Sequence, residues 1–142
     1  MKIYVLGSNA FMKAMVEAKD QLCELGYDGW IHPHYEEMVR TNTMEKGQYS
    51  DAGEAAAAKR NNDYIRVHYA HILESDAILF VNNTKKGIEN YVGGNVLMEM
   101  SQAYVNNKKI FLLNDIPREM SYTAEIEAMD PICLHGDLKN IG

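Results

Sequence analysis

Residues 75–117 read SDAILFVNNTKKGIENYVGGNVLMEMSQAYVNNKKIFLLNDIP. An apolar run, Ala77 to Val81, gives way to a polar loop and the pair Gly93-Gly94. An amphipathic segment carrying one acid, Glu99, follows, and then a second apolar run over 109–113. The order predicts strand, loop, helix and strand, the unit from which parallel sheets are built. It also places a carboxylate about one turn into the helix, over the strand ends.

Outward from this unit the alternation continues. Toward the N-terminus, Lys2 to Leu6 predicts a strand ending in Gly7-Ser8-Asn9, and a helix follows from about Ala10 to Leu25, with apolar residues at Phe11, Met15, Ala18 and Leu22. Gly26 is placed to end that helix. Tyr27 to Ile31 predicts a weaker strand, closed by His32-Pro33-His34 in a loop. Residues 35–50 form a polar connection with room for one short helix. An Ala-rich helix is expected from Ala52 to Glu74 with Asp51 as its N-cap, its apolar stripe formed by Ile65, Tyr69, Ile72 and Leu73. Toward the C-terminus the units are helix 95–106, strand 109–113, a short helix near 121–128 and a strand near Ile132 to Leu134. Alternating strands and helices imply a parallel sheet covered on both faces. The expectation is a single domain over 1–142: a flavodoxin-like, Rossmann-like α/β three-layer sandwich with five parallel strands in the order 2-1-3-4-5.

Composition narrows the function. With 142 residues, 46% of them hydrophobic, the chain can bury a core without staples. Cys23 and Cys133 have no metal spacing and are expected to be reduced and buried, as in a cytoplasmic protein. No segment reads as a signal peptide or membrane span. A net charge of -6 argues against a nucleic-acid partner and for a small molecule. Methionines 12, 15, 98, 100, 120 and 129 suit core packing.

In open α/β sheets ligands bind beyond the carboxyl ends of the strands, where the strand order reverses. The loops expected there are Gly7-Ser8-Asn9 and Asn82 through Gly94. Small residues and the helix N-termini that follow them suit an anion such as a phosphate, although Gly-Ser after a strand is also ordinary turn chemistry. Asn82 is placed to bond a ribose hydroxyl or base edge. Asn95 reads as the N-cap of the next helix or a ligand contact. Lys85 and Lys86 either lean over a phosphate or are solvated, and Tyr91, in a lid-like loop, is placed to stack on a base. Glu99 has two readings: an acid complementing the helix dipole, or a carboxylate aimed at the ligand as a nucleophile. Asp76, at the start of its strand, reads as structural. No carboxylate and histidine cluster has metal spacing, so neither a metal nor another cofactor is expected.

Three stretches together, KIYVLGS (2–8), DYIRVHYAHILESDAILFV (63–81) and VLMEMSQAYVNNKKIFLL (96–113), resemble the nucleoside 2-deoxyribosyltransferase-like proteins, which include the 2′-deoxynucleoside 5′-monophosphate N-glycosidases. The resemblance covers nearly the whole chain. It implies that Glu99 is the glutamate that attacks the anomeric carbon, that Gly7 and Ser8 belong to a 5′-phosphate turn, and that the protein forms a homodimer. The chain departs from the family pattern at three places: His68 stands where an acid is usual, Gly93 where the transferases have a second Asp, and Leu97 where a glycine is usual.

Breaking an N-glycosidic bond passes through an oxocarbenium-like state and requires a carboxylate near C1′ and a proton for the departing base. Glu99 is expected to supply the first. His68 either supplies the second or is a satisfied half-buried side chain. The absence of GxGxxG after the first strand excludes a dinucleotide enzyme, and the absence of the acidic positions of a receiver excludes a phospho-acceptor. A nucleotide-binding or sensing protein without turnover is the main alternative, and a structural protein that assembles through the Ala-rich helix is the third.

Overall fold

In a computed structural model that describes residues 1–43 and 52–142, five strands form one parallel sheet in the order β2-β1-β3-β4-β5. They are β1 (Lys2–Gly7), β2 (Asp28–Trp30), β3 (Ala77–Val81), β4 (Lys109–Leu112) and β5 (Ile132–Cys133). The helices are α1 (Met12–Glu24), α2 (Pro33–Arg40), α3 (Ala52–Asn61), α4 (Tyr64–Glu74), α5 (Gly94–Val105) and α6 (Thr123–Ala128). The expected α/β architecture and strand order are present. The β1–β3 register, Ile3 beside Ala77 through Gly7 beside Val81, sets the two loops of the order reversal side by side.

The period-2 alternation of a strand explains both layers. Ile3, Val5, Ala77, Leu79 and Val81 turn to one face and pack with Phe11, Met12, Met15 and Leu22 of the α1 side. Tyr4, Leu6, Ile78, Phe80 and Leu112 turn to the other, against Ile72 of α4, Val96 and Met100 of α5 and Ile126 of α6. Asp76 is structural as expected: its carboxylate accepts from the Lys2 backbone N–H at 2.7 Å, tying the start of β3 to β1.

Several local expectations need correction. The single helix over 52–74 is two, because Asp63 is left-handed (φ 51°) and Asn62 Nδ2 turns back to the Ala58 carbonyl at 2.9 Å. Asn and Asp favour such breaks over helix interiors. The stripe of α4 is also rotated: Tyr64, His68 and Ile72 are buried, whereas Ile65, Tyr69 and Leu73 are exposed. The first helix opens with a 3-10 turn, Asn9–Phe11, capped by Ser8. His32 and His34 do not lie in a loop, since His32 caps α2 through its ring nitrogen and His34 is within the helix. Helix α5 begins at Gly94 with Gly93 as N-cap and no side-chain cap, which removes the capping role from Asn95. Cys23 is exposed and Cys133 half-buried, both as free thiols. Met98 is exposed rather than in the core. The expected N-cap Asp51 lies outside the described residues.

Candidate active site

The helical spacing of Asn95, Glu99 and Gln102 puts all three on one face of α5, where they line a cavity completed by Tyr35 of α2, Lys59 of α3, and Tyr64, Ile65 and His68 of α4. The cavity measures about 20 Å³, room for one water. Glu99 is only 8% exposed, and no described residue hydrogen-bonds to its carboxyl. Burial raises its pKa to about 8, opposed by the positive charge of Lys59. The Lys59 ammonium is itself pushed down by burial, against the pull of Glu99. The two groups face one cavity without closing a direct ion pair, each driven toward its neutral form. Beside them the Gln102 side-chain oxygen is buried with no hydrogen-bond partner among the described residues.

His68 is held from both sides. Its Nδ1 lies 2.8 Å from the Tyr4 hydroxyl and its Nε2 3.0 Å from the Tyr35 hydroxyl. Burial, reinforced by His32, His71 and Lys59, lowers its pKa to about 3. At neutral pH it is therefore an uncharged imidazole with both nitrogens engaged, and it is not a reservoir of an acidic proton. The Tyr4 hydroxyl also meets His71 Nδ1 at 2.9 Å, and His34 Nδ1 meets the Tyr64 hydroxyl at 2.9 Å. His32 stacks on Tyr35 with ring centroids 5.0 Å apart. Burial, with help from His71 and His34, lowers the His32 pKa to about 4.

Where the strand order reverses, a second cluster forms. Lys85 Nζ donates to Ser8 Oγ at 3.2 Å and lies 5.0 Å from the centre of the Tyr91 ring. That ring covers Gly93 so closely that a Cβ there would meet it at 3.1 Å. Tyr91 is thus already seated between Lys85 and Gly93. Gly7, Ser8 and Asn9 do not line the Glu99 cavity. Gly7 turns toward α1, where a Cβ would meet Val81 O at 2.9 Å and Met15 Sδ at 3.2 Å, whereas Glu99 belongs to the α4–α5 layer.

The remaining expected residues divide between these places. Asn95 joins Glu99 in the cavity. The Asn82 side chain is engaged within the fold. Fully buried, it accepts from the Asn114 backbone N–H at 2.8 Å and donates to the Asp115 carbonyl at 3.0 Å, which makes it a clamp between the loops after β3 and β4. Sequence reasoning missed Lys59, Tyr35, Tyr4 and Gln102 as neighbours of Glu99. The available signal was Tyr4, a residue with a polar tip in an otherwise aliphatic strand, since a buried tyrosine hydroxyl seeks a partner. No family model, curated protein or solved structure matches the chain.

Proposed function

We propose that the chain cleaves or transfers at the N-glycosidic bond of a nucleoside or nucleoside 5′-monophosphate, with Glu99 as the nucleophile. The observation that carries this reading is a buried carboxyl to which no described residue hydrogen-bonds, held in a cavity lined mostly by polar side chains. A buried structural carboxylate is normally paired, so a cavity carboxyl with no described partner and a strongly raised pKa points to chemistry. The anionic form attacks C1′, the C–N bond breaks, and its electron pair leaves with the base, which takes up a proton. Water or a second base then displaces the sugar from Glu99. The developing positive charge of the sugar restores the carboxylate that burial disfavours. The 5′-phosphate falls to Ser8, Lys85 and the N-terminus of α5 at Gly93 and Gly94, a polar and positively charged turn. Admitting a nucleoside requires the small cavity to open, with Lys59 and the exposed Ile65 as the side chains that swing aside.

The reading includes a cytoplasmic homodimer. Its support is the number of exposed apolar residues that α4 and α5 carry: Ile65, Tyr69, Leu73, Met98, Tyr104 and Val105. Among the described residues, no helix is long and apolar enough to cross a membrane.

The test is release of free base from ribo- and deoxyribonucleosides and their 5′-monophosphates, with and without an acceptor base, by the wild type and Glu99→Ala. Release that depends on Glu99 is expected, and an acceptor requirement separates transfer from hydrolysis. The smallness of the cavity favours a second reading, nucleotide binding without turnover. It predicts binding that Glu99→Ala leaves intact and no base from any substrate.

A further inference from the structure

Four side chains form a continuous hydrogen-bonded row: Tyr35 Oη to His68 Nε2 at 3.0 Å, His68 Nδ1 to Tyr4 Oη at 2.8 Å, and Tyr4 Oη to His71 Nδ1 at 2.9 Å. One end lies in the Glu99 cavity, where Tyr35 and His68 both contribute to the wall. The other end, His71, is half-buried at the side of the molecule, its ring packed on Trp30 at 4.6 Å. The middle is closed to water: Tyr4 is fully buried and His68 is 6% exposed. We propose that Tyr35, His68, Tyr4 and His71 are a proton relay that connects the Glu99 cavity to solvent.

The row works because each member both donates and accepts. A tyrosine hydroxyl has one proton and open lone pairs, and a neutral imidazole carries its proton on one nitrogen and accepts on the other. Two arrangements satisfy every bond. In one, Tyr35 donates to His68, His68 Nδ1–H to Tyr4, and Tyr4 to His71. In the other all three donations reverse. Passing one proton along the row converts the first arrangement into the second, with no change of heavy-atom positions and no charge left inside.

The role of the row rests on the proposed glycosidic chemistry. When the C–N bond breaks, the base takes one proton; when water attacks C1′ and releases Glu99, that water gives one up. The proton books balance over a turnover, but the two transfers are separated in time, so a proton taken at one must be held until the other. His68 cannot serve as a lone acid, because its two nitrogens are already engaged. The row instead lends the proton from His71 and its solvent and returns it after hydrolysis. Tyr4, His68 and His71 are thus positioning residues acting through Tyr35 and the cavity water.

The first measurement needs no turnover: nitrogen-15 NMR of the histidine rings at neutral pH. The row predicts opposite tautomers, His68 protonated on Nδ1 with His71 on Nε2, or His68 on Nε2 with His71 on Nδ1. Tyr4→Phe, which removes a single oxygen, is expected to abolish that correlation. Both rings protonated on the same kind of nitrogen would overturn the relay: with both on Nδ1 the Tyr4 proton has no acceptor in the row, and with both on Nε2 it reaches only one of the two rings. The second measurement is base release by Tyr4→Phe and His71→Phe, each first checked for cooperative unfolding. A fall in kcat of tenfold or more, with KM within twofold and an altered solvent deuterium isotope effect, is expected. Wild-type kcat and isotope effect in both variants would overturn the role in turnover. If the wild type releases no base, the glycosidic reading fails while the tautomer experiment still decides the row.

Discussion

Glu99 was legible as a candidate in the sequence, a lone acid in an otherwise apolar helix, but its environment was not. Its cavity is assembled from four helices, and Lys59, Tyr35 and His68 are brought to it by tertiary packing that no local pattern encodes. Its elevated pKa has a consequence for stability. Between the ordinary value of 4.5 and about 8 the unfolded chain ionises at this position while the folded chain stays protonated, so stability falls as pH rises through that window. The full effect is on the order of 5 kcal/mol. Glu99→Gln removes the effect, and its Tm relative to wild type is therefore expected to climb from pH 5 to pH 8. A constant Tm difference would show that the carboxyl is not held neutral. For turnover the sign reverses: an attacking carboxylate makes kcat/KM of the wild type rise with pH up to about 8, with the plateau beyond. Gly7 makes a separate point at this scale. A methyl group there meets the Val81 carbonyl, so Gly7→Ala is expected to cost about 1–3 kcal/mol in chemical denaturation.

At the scale of elements, β1, β3, β4 and α5 were legible because their apolar patterns are continuous, whereas β2 and β5 are short. The helix over 52–74 was misread because composition favours helix on both sides of Asn62-Asp63, and only the left-handed φ of Asp63 divides it. Asp63→Gly is expected to match or raise the wild-type Tm, whereas Asp63→Val, a branched residue forced to positive φ, lowers stability by about 1–2 kcal/mol. Helix α2 was hidden for another reason: its start is a histidine cap followed by proline, a pattern that also reads as a turn. That cap is acid-labile. His32 and His68 are held neutral well below the usual imidazole range, so stability is lost as pH falls from about 6.5 toward 4 and 3 respectively. His32→Asn keeps a capping oxygen and removes one of these groups. Its Tm is expected to fall less than that of the wild type between pH 7 and pH 5, and an equal fall would assign the acid lability elsewhere.

For the whole molecule, the parallel order 2-1-3-4-5 followed from the alternation of strand and helix, and with it the place where the strand order reverses. The sequence could not show that the polar residues there divide into two groups. Ser8, Lys85 and Tyr91 gather beyond β1 and β3, while Glu99 and His68 gather between α4 and α5. Nor could it show that Ile65, Tyr69 and Leu73 of α4 are exposed, as are Met98 and Val105 of α5. If a second copy covers that face, light scattering gives twice the chain mass for the wild type, and Leu73→Glu with Val105→Glu gives a folded monomer. A wild-type monomer would remove the dimer from the account. The central claim is that Glu99 attacks the sugar. It is tested most directly by intact-protein and peptide mass spectrometry after mixing the protein with 2-fluorinated nucleosides and 5′-monophosphates, whose sugar–enzyme ester breaks down slowly. A mass gain of one sugar or sugar phosphate is expected, located on the peptide that carries Glu99 and lost in Glu99→Gln. A gain on another residue, or base release by Glu99→Gln at the wild-type rate, would contradict it.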